Sequence, residues 1–179
     1  MANIRLNIEA TMKNLQQSWG QLLLLLFALG GAGISVYLTA VHYENVPLIC
    51  SNNGAVNCAR VLSSPYSLVP GTSIPISVPG LAWCLVLAGL AIIGLRTIAR
   101  PHWLNIAQFL WAFLGILTAL YLVYVEIVLL HSICAWCTAL HVLILLVFLI
   151  TLIHLQQTGA EEAEIEEEET AITTVRNRR

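Results

Sequence analysis

Four apolar runs, each close to the length of a bilayer crossing, set the pattern of the chain. Leu22 to Val41 is the first, Val78 to Leu95 the second, Trp103 to Val125 the third and Ser132 to Ile153 the fourth. A spanning helix needs about 20 predominantly apolar residues, so the pattern predicts four membrane helices. The first run also resembles the apolar stretch of a secretory signal peptide, but it continues through Ile34, Val36 and Leu38, too far for that reading. A few residues around Pro101 join the second run to the third, and a tight turn near His131 joins the third to the fourth. Both pairs are therefore antiparallel hairpins in a compact bundle. The 43–77 connection is long, and long loops tend to be functional or disordered. Within it, Asn57 to Ser64 can form a short helix with Cys58, Val61 and Leu62 on one face, ended by Pro65. Pro70, Pro75 and Pro79 then predict an extended return to the membrane. The expected fold is an all-α integral membrane protein, a four-transmembrane-helix bundle whose long outer loop holds a short capping helix.

Composition agrees with this. Hydrophobic residues make up 58% of the chain and charged ones 10%, against roughly 25% charged in soluble domains, which excludes an ordinary soluble globule. Aspartate is absent, and seven of the ten acids are crowded between Glu161 and Glu169; the rest of the chain has only Glu9, Glu44 and Glu126. Net charge is −2 with no dense basic patch, so nucleic acid is not an expected partner. Arg5 and Lys13 precede the first span, Arg96 and Arg100 lie between the second and third, and Arg176, Arg178 and Arg179 follow the fourth. By the positive-inside rule these seven share the cytoplasmic side, and only Arg60 lies outside. Both termini are then cytoplasmic, and the 43–77 loop and the 126–131 turn face outward. Trp19 and Trp103 fall at the inner interface, and Tyr43, Tyr124 and Trp136 at the outer one, as an aromatic belt requires. The chain divides into a cytoplasmic segment (1–20), a membrane domain (21–155) and an acidic tail (156–179) too polar to fold alone. Gly30, Gly31, Ala32 and Gly33 permit close helix approach.

The cysteines carry the chemistry. Cys50 and Cys58 lie in the outer loop, Cys134 and Cys137 form a Cys-Ala-Trp-Cys motif at the outer start of span four, and Cys84 is alone in span two. Four of five therefore sit on the oxidising face, where disulfides persist. Residues three apart share a helix face, and a helix N-terminus favours a thiolate, chiefly at the first cysteine. A thiolate is what thiol–disulfide exchange requires. Two pairs at one face suggest a relay, with the loop pair reaching a soluble partner and the membrane-edge pair a quinone. A purely structural reading accounts for Cys50 and Cys58, but a ring as short as that of Cys134 and Cys137 restrains almost nothing. A zinc site made from all four has odd spacing, and no metal is expected. Cys84 reads as a small apolar residue. Glu126 and His131 flank the outer turn; either could influence thiol acidity or proton release, and a solvated loop edge is the simpler reading.

Several features together resemble bacterial homologues of vitamin K epoxide reductase. They are Tyr37-Leu38-Thr39 with His42-Tyr43, Cys50, Cys58-x-x-Val61-x-x-Ser64 with Tyr66, Gly71, the Pro75 to Gly80 approach, and Cys134-Ala-Trp-Cys137, spread over about residues 30 to 155. The resemblance implies that Cys50 exchanges with a thioredoxin-fold partner, that Cys58 attacks the membrane pair, that Cys134 receives the attack and that Cys137 delivers electrons to the quinone. It also implies that Ser64 lines the quinone site; a helix-terminal turn residue is the alternative. Vertebrate members have a quinone-contacting tyrosine where this chain has His141, and an asparagine where it has Ile76. His141 can still hydrogen-bond a quinone carbonyl, or be satisfied within the bundle.

The implied activity is that of a membrane thiol:quinone oxidoreductase, which reoxidises a DsbA-type partner and so supports disulfide-bond formation. Its electron acceptor would be ubiquinone, menaquinone or phylloquinone. Many bacterial members carry a fused thioredoxin-like domain; none is seen here, so the partner is expected in trans, and the location at the inner (plasma) membrane. The alternatives are reduction of vitamin K epoxide or a quinone for its own sake, and a non-enzymatic four-span protein with structural disulfides.

Overall fold

The computed structural model describes residues 2–44, 47–50, 54, 56–97 and 102–177. Five α-helices follow one another among these: α1 (Ala2–Glu44), α2 (Cys58–Leu62), α3 (Ser77–Arg96), α4 (His102–Tyr124) and α5 (Ala135–Asn177). A π-helical turn, Val125–Leu129, prolongs α4. Four segments are long and apolar enough to cross a membrane: Ser18–Glu44, Ser77–Arg96, His102–Leu129 and Ala135–Ala160. The shortest, α3, has 20 residues, which at a rise of 1.5 Å spans about 30 Å, the thickness of a bilayer's hydrocarbon core. The chain is an all-α, multi-pass membrane protein.

The predicted spans agree with these segments to within four residues at every edge but the last, where the fourth runs to Ala160 rather than Ile153. The fourth helix starts at Ala135 rather than Ser132, because the residues before it pair with the loop. At its other end α5 runs on through the acidic stretch to Asn177, where the composition predicts no folded structure. Glutamate and alanine are good helix formers, and a helix already nucleated by the span extends at little cost. The connection at 98–101, with Arg100 and Pro101, lies outside the described residues, as do Arg178 and Arg179.

Helix α1 packs along α3 and α4 along α5, and contacts of α1 with α5 and of α3 with α4 close the bundle. The core is Leu24 and Ala28 from α1, Leu87, Ala88 and Ala91 from α3, Ala112 from α4 and Val147 from α5. Large apolar side chains such as Leu26, Leu85, Leu110, Leu120 and Leu145 point outward, as a lipid solvent permits. Of the glycines at 30, 31 and 33 in α1, Gly31 is the one at a tight crossing. A Cβ there would stand 2.9 Å from the Cys84 sulfur, whereas one at Gly33 would meet open space. Toward the end of the bundle remote from the cysteines lies a buried polar layer. Gln21 and Gln108 donate to each other at 3.0 and 2.9 Å, and Gln108 also donates to the Leu90 carbonyl at 3.2 Å. Each amide is satisfied by a partner on another helix, as burial requires.

The loop folds against the other end. Asn57 caps α2, its side chain accepting from the Arg60 amide at 2.9 Å. Cys58 and Val61 are buried and Leu62 partly so, matching the predicted helix face. After a 3-10 turn at Pro65–Ser67, the chain does not simply extend to the membrane. Val69 and Ile74 close a reversal in which Pro70 and Gly71 occupy the corner, Gly71 with φ 78°. Proline followed by a glycine of positive φ is the pattern of a type II turn. Pro79 falls in the first turn of α3, where its missing N–H costs nothing.

Candidate active site

Cys50 and Cys58 are joined as a disulfide, with their Cα atoms 6.2 Å apart. The strand-like segment before Cys50 is held from two sides. The Tyr37 hydroxyl donates to the Pro47 carbonyl at 3.3 Å and accepts from the Ile49 amide at 2.9 Å, while the Trp136 indole donates to the Ile49 carbonyl at 2.8 Å. The two rings lie 5.0 Å apart, centroid to centroid. Ile49 itself is exposed, so the chain next to Cys50 lies open at the surface. Cys58 is 1% exposed and lies inward of it.

Beyond the disulfide, Val56 pairs with Ile133 in a parallel bridge, and the Asn57 amide donates to the Ile133 carbonyl at 3.0 Å. This bridge delivers Cys58 and Cys134 to one buried cluster with Val61, against which Cys50, Cys137 and Trp136 pack. Cys134 is the N-cap of α5. Its carbonyl accepts the first helical bond, from Thr138, and its sulfur accepts from the Cys137 amide at 3.3 Å. The Cys137 thiol points at the Cys134 sulfur across 2.7 Å. A hydrogen bond from that thiol, helped by amides at the helix N-terminus, holds the Cys134 thiol below its ordinary range despite burial. The site thus combines an oxidised loop pair with a membrane-edge pair of thiols.

A cavity of about 420 Å³ opens beneath Cys137, within the size range of small-molecule sites. Cys137, Ser64, His141 and Ile76 all line it; Cys134 does not. Its walls are mainly apolar, with Trp83 and Trp111 prominent. Each indole N–H is already given to the other residue's carbonyl, at 3.0 and 3.1 Å. Three of the lining hydroxyls are committed too. Ser64 donates to Val61 at 2.7 Å, Ser67 to Leu62 at 2.8 Å and Thr118 to Leu114 at 3.0 Å. Ser64 therefore lines the cavity and also closes the end of α2. His141 has no hydrogen bond among the described residues, which leaves its ring as a polar group facing the cavity.

Three further lining residues were assigned no place at this cavity from the sequence. His42, from the end of α1, and Cys84, whose thiol is buried, both reach the cavity. Glu126 is the third, and it corrects the expectation of a solvated loop edge. Its side chain is 5% exposed, and its carboxyl accepts from the Cys134 amide at 3.3 Å. The apolar pattern ends the third span at Val125, one residue short of it, so no signal in the sequence placed it inside. His131, by contrast, is exposed, as expected.

A four-span bundle that sets two cysteine pairs above an apolar cavity defines an integral-membrane oxidoreductase. Residues 22–152 match the model of the Vitamin K epoxide reductase family, and the chain belongs to that family, whose members are membrane thiol and quinone oxidoreductases. Among curated proteins, none matches the chain.

Proposed function

We propose that this protein reoxidises a thioredoxin-fold thiol oxidase and passes the electrons to a membrane quinone. The observation that carries the reading is the shared cluster of Cys58 and Cys134, with Cys137 on its inner side lining the cavity. Three balanced exchanges make the cycle. A thiolate of the partner attacks the Cys50–Cys58 disulfide at Cys50, and the partner's second thiol resolves the mixed disulfide, leaving the loop pair as two thiols. Cys58 then attacks Cys134 of the oxidised membrane pair, Cys137 leaves as a thiolate, and Cys50 closes on Cys58 to release Cys134. Finally Cys134 and Cys137 close again, giving up two electrons and two protons.

The quinone, when bound, supplies the two-electron acceptor for that last exchange. An apolar cavity with few free polar groups fits such a head group. His141, one helical turn beyond Cys137 on α5, is the residue placed to orient it, because its ring faces the cavity without a hydrogen bond among the described residues. With an oxidised loop pair and a reduced inner pair, the arrangement corresponds to the stage before electron delivery. Under this reading the cysteine end faces outward from the inner membrane, and both termini are cytoplasmic.

The test is quinone reduction by the purified protein, driven by a reduced thioredoxin-fold partner, in wild type, Cys50→Ala and Cys137→Ala. Both variants are expected to lose turnover, and dithiothreitol to restore it only in Cys50→Ala. A wild type that leaves every quinone unreduced favours structural disulfides. A wild type that ignores the partner but reduces quinone or vitamin K epoxide with small thiols favours a quinone-directed task.

A further inference from the structure

Burying a carboxyl group in a membrane span is expensive, and the position of Glu126 needs a reason. Capping α5 is not sufficient, because any neutral oxygen accepts an amide hydrogen as well. Three observations bear on it. The π-helical turn Val125–Leu129 turns both Val125 and Glu126 inward, and such turns concentrate at functional sites. The carboxyl lies on the Cys134 amide, and the Cys137 side chain is its other polar neighbour. Glu126 also lines the cavity beneath Cys137 and, on its other side, a second hollow of about 320 Å³ between α4 and α5. Among the described residues it is the one acid lining either.

Resting on the function proposed above, we infer that Glu126 is the proton-transfer group of the Cys134–Cys137 pair. Closing that disulfide breaks two S–H bonds and forms one S–S bond. The two electrons go to the membrane quinone, and the two protons must reach its oxygens. The Glu126 carboxylate takes the Cys137 proton, forming an O–H bond as the S–H bond breaks, and then gives the proton up to the reduced acceptor. The Cys134 proton, released as its sulfur bonds Cys137, follows through the same carboxyl group. Glu126 ends the cycle as the carboxylate it was at the start. Among the described residues no other carboxylate lines either hollow, and the Ser64, Ser67 and Thr118 hydroxyls are committed to backbone carbonyls.

The full-length protein is reduced with dithiothreitol, freed of it, and mixed with a short-chain ubiquinone or with menadione in a single-turnover experiment. Proton transfer by a positioned side chain contributes about 10²-fold or more. Glu126→Gln, which keeps an oxygen for the Cys134 amide, is expected to slow oxidation of the inner pair about 100-fold without changing the quinone concentration at half saturation. Glu126→Asp is expected to recover much of the rate. Passage of reducing equivalents from a reduced partner to the inner pair, trapped by alkylation without quinone, serves as the reference for folding. A Glu126→Gln protein that oxidises at the wild-type rate overturns the inference. So does an equal loss in both variants that extends to the alkylation reference, since that marks a purely structural cap. Failure of the wild type with both quinones overturns the proposed function itself, and this inference with it.

Discussion

His141 takes its proposed role from its place, one helical turn beyond Cys137 on α5. Around it Trp83, Trp111, Ser64, Ser67 and Thr118 have all spent their protons on carbonyls, while its ring faces the cavity unengaged. A hydrogen bond of this kind has a net worth of about 0.5–1.5 kcal/mol. Replacing it by the similarly bulky, apolar leucine is therefore expected to raise the quinone KM several-fold to about tenfold with little change in kcat; an unchanged KM would remove His141 from the binding site. At this scale the sequence was informative wherever chemistry needs a rare residue type. The four outer cysteines stand out by type and spacing, and Cys84 is indeed a buried thiol. Glu126 was misread because one-dimensional order puts it at the edge of a turn. Its burial comes from the π-helical turn, a local change of winding that no spacing rule in the chain announces.

At the scale of elements, the segment before Cys50 is fastened by aromatic residues from two different helices, Tyr37 of α1 and Trp136 of α5. Tyr37→Phe keeps the ring contact but removes the hydroxyl that engages both Pro47 and Ile49. The segment should then loosen. The expected result is slower oxidation of a protein partner, several-fold in kcat/KM, with dithiothreitol-driven quinone reduction within twofold of wild type. Equal losses with both reductants would place Tyr37 in the bundle's stability instead. The short helix α2 was legible because Asn57, Cys58, Val61 and Pro65 supply cap, buried face and stop in order. The return path was less so. Its prolines suggest extension, yet Pro70 beside Gly71 makes a tight reversal, and Pro79 is absorbed into the first turn of α3. Proline fixes one dihedral angle, and the neighbours decide which structure uses it. The acidic segment differed for the same kind of reason: its composition forbids a core but not the continuation of a helix.

For the whole molecule, hydropathy sufficed to find four spans, since length and apolarity are set by the bilayer itself. It said nothing about how the spans lock together. The Gln21–Gln108 pair with Leu90 ties α1, α4 and α3 across the bundle. Changing one glutamine to leucine strands the other, at a cost of about 1–3 kcal/mol. Changing both is expected to be milder than the sum of the single changes, by about 0.6 kcal/mol or more, as interhelical hydrogen bonds in membranes go. Thermal unfolding in detergent of the two single variants and the double variant measures this, and strict additivity would show that the amides act independently.

One consequence of the burial pattern concerns what the molecule keeps out. Cys134 is 0% and Cys58 1% exposed, each shielded by the other's surroundings. Under the proposed function, the thiols of a protein donor thus meet a sheathed conductor, most open near Cys50. A bulky donor cannot short across the middle of the chain of sulfurs, whereas a reductant as small as dithiothreitol can still seep in. A protein's electrons must come in at the tip, where its shape can be inspected before any charge moves.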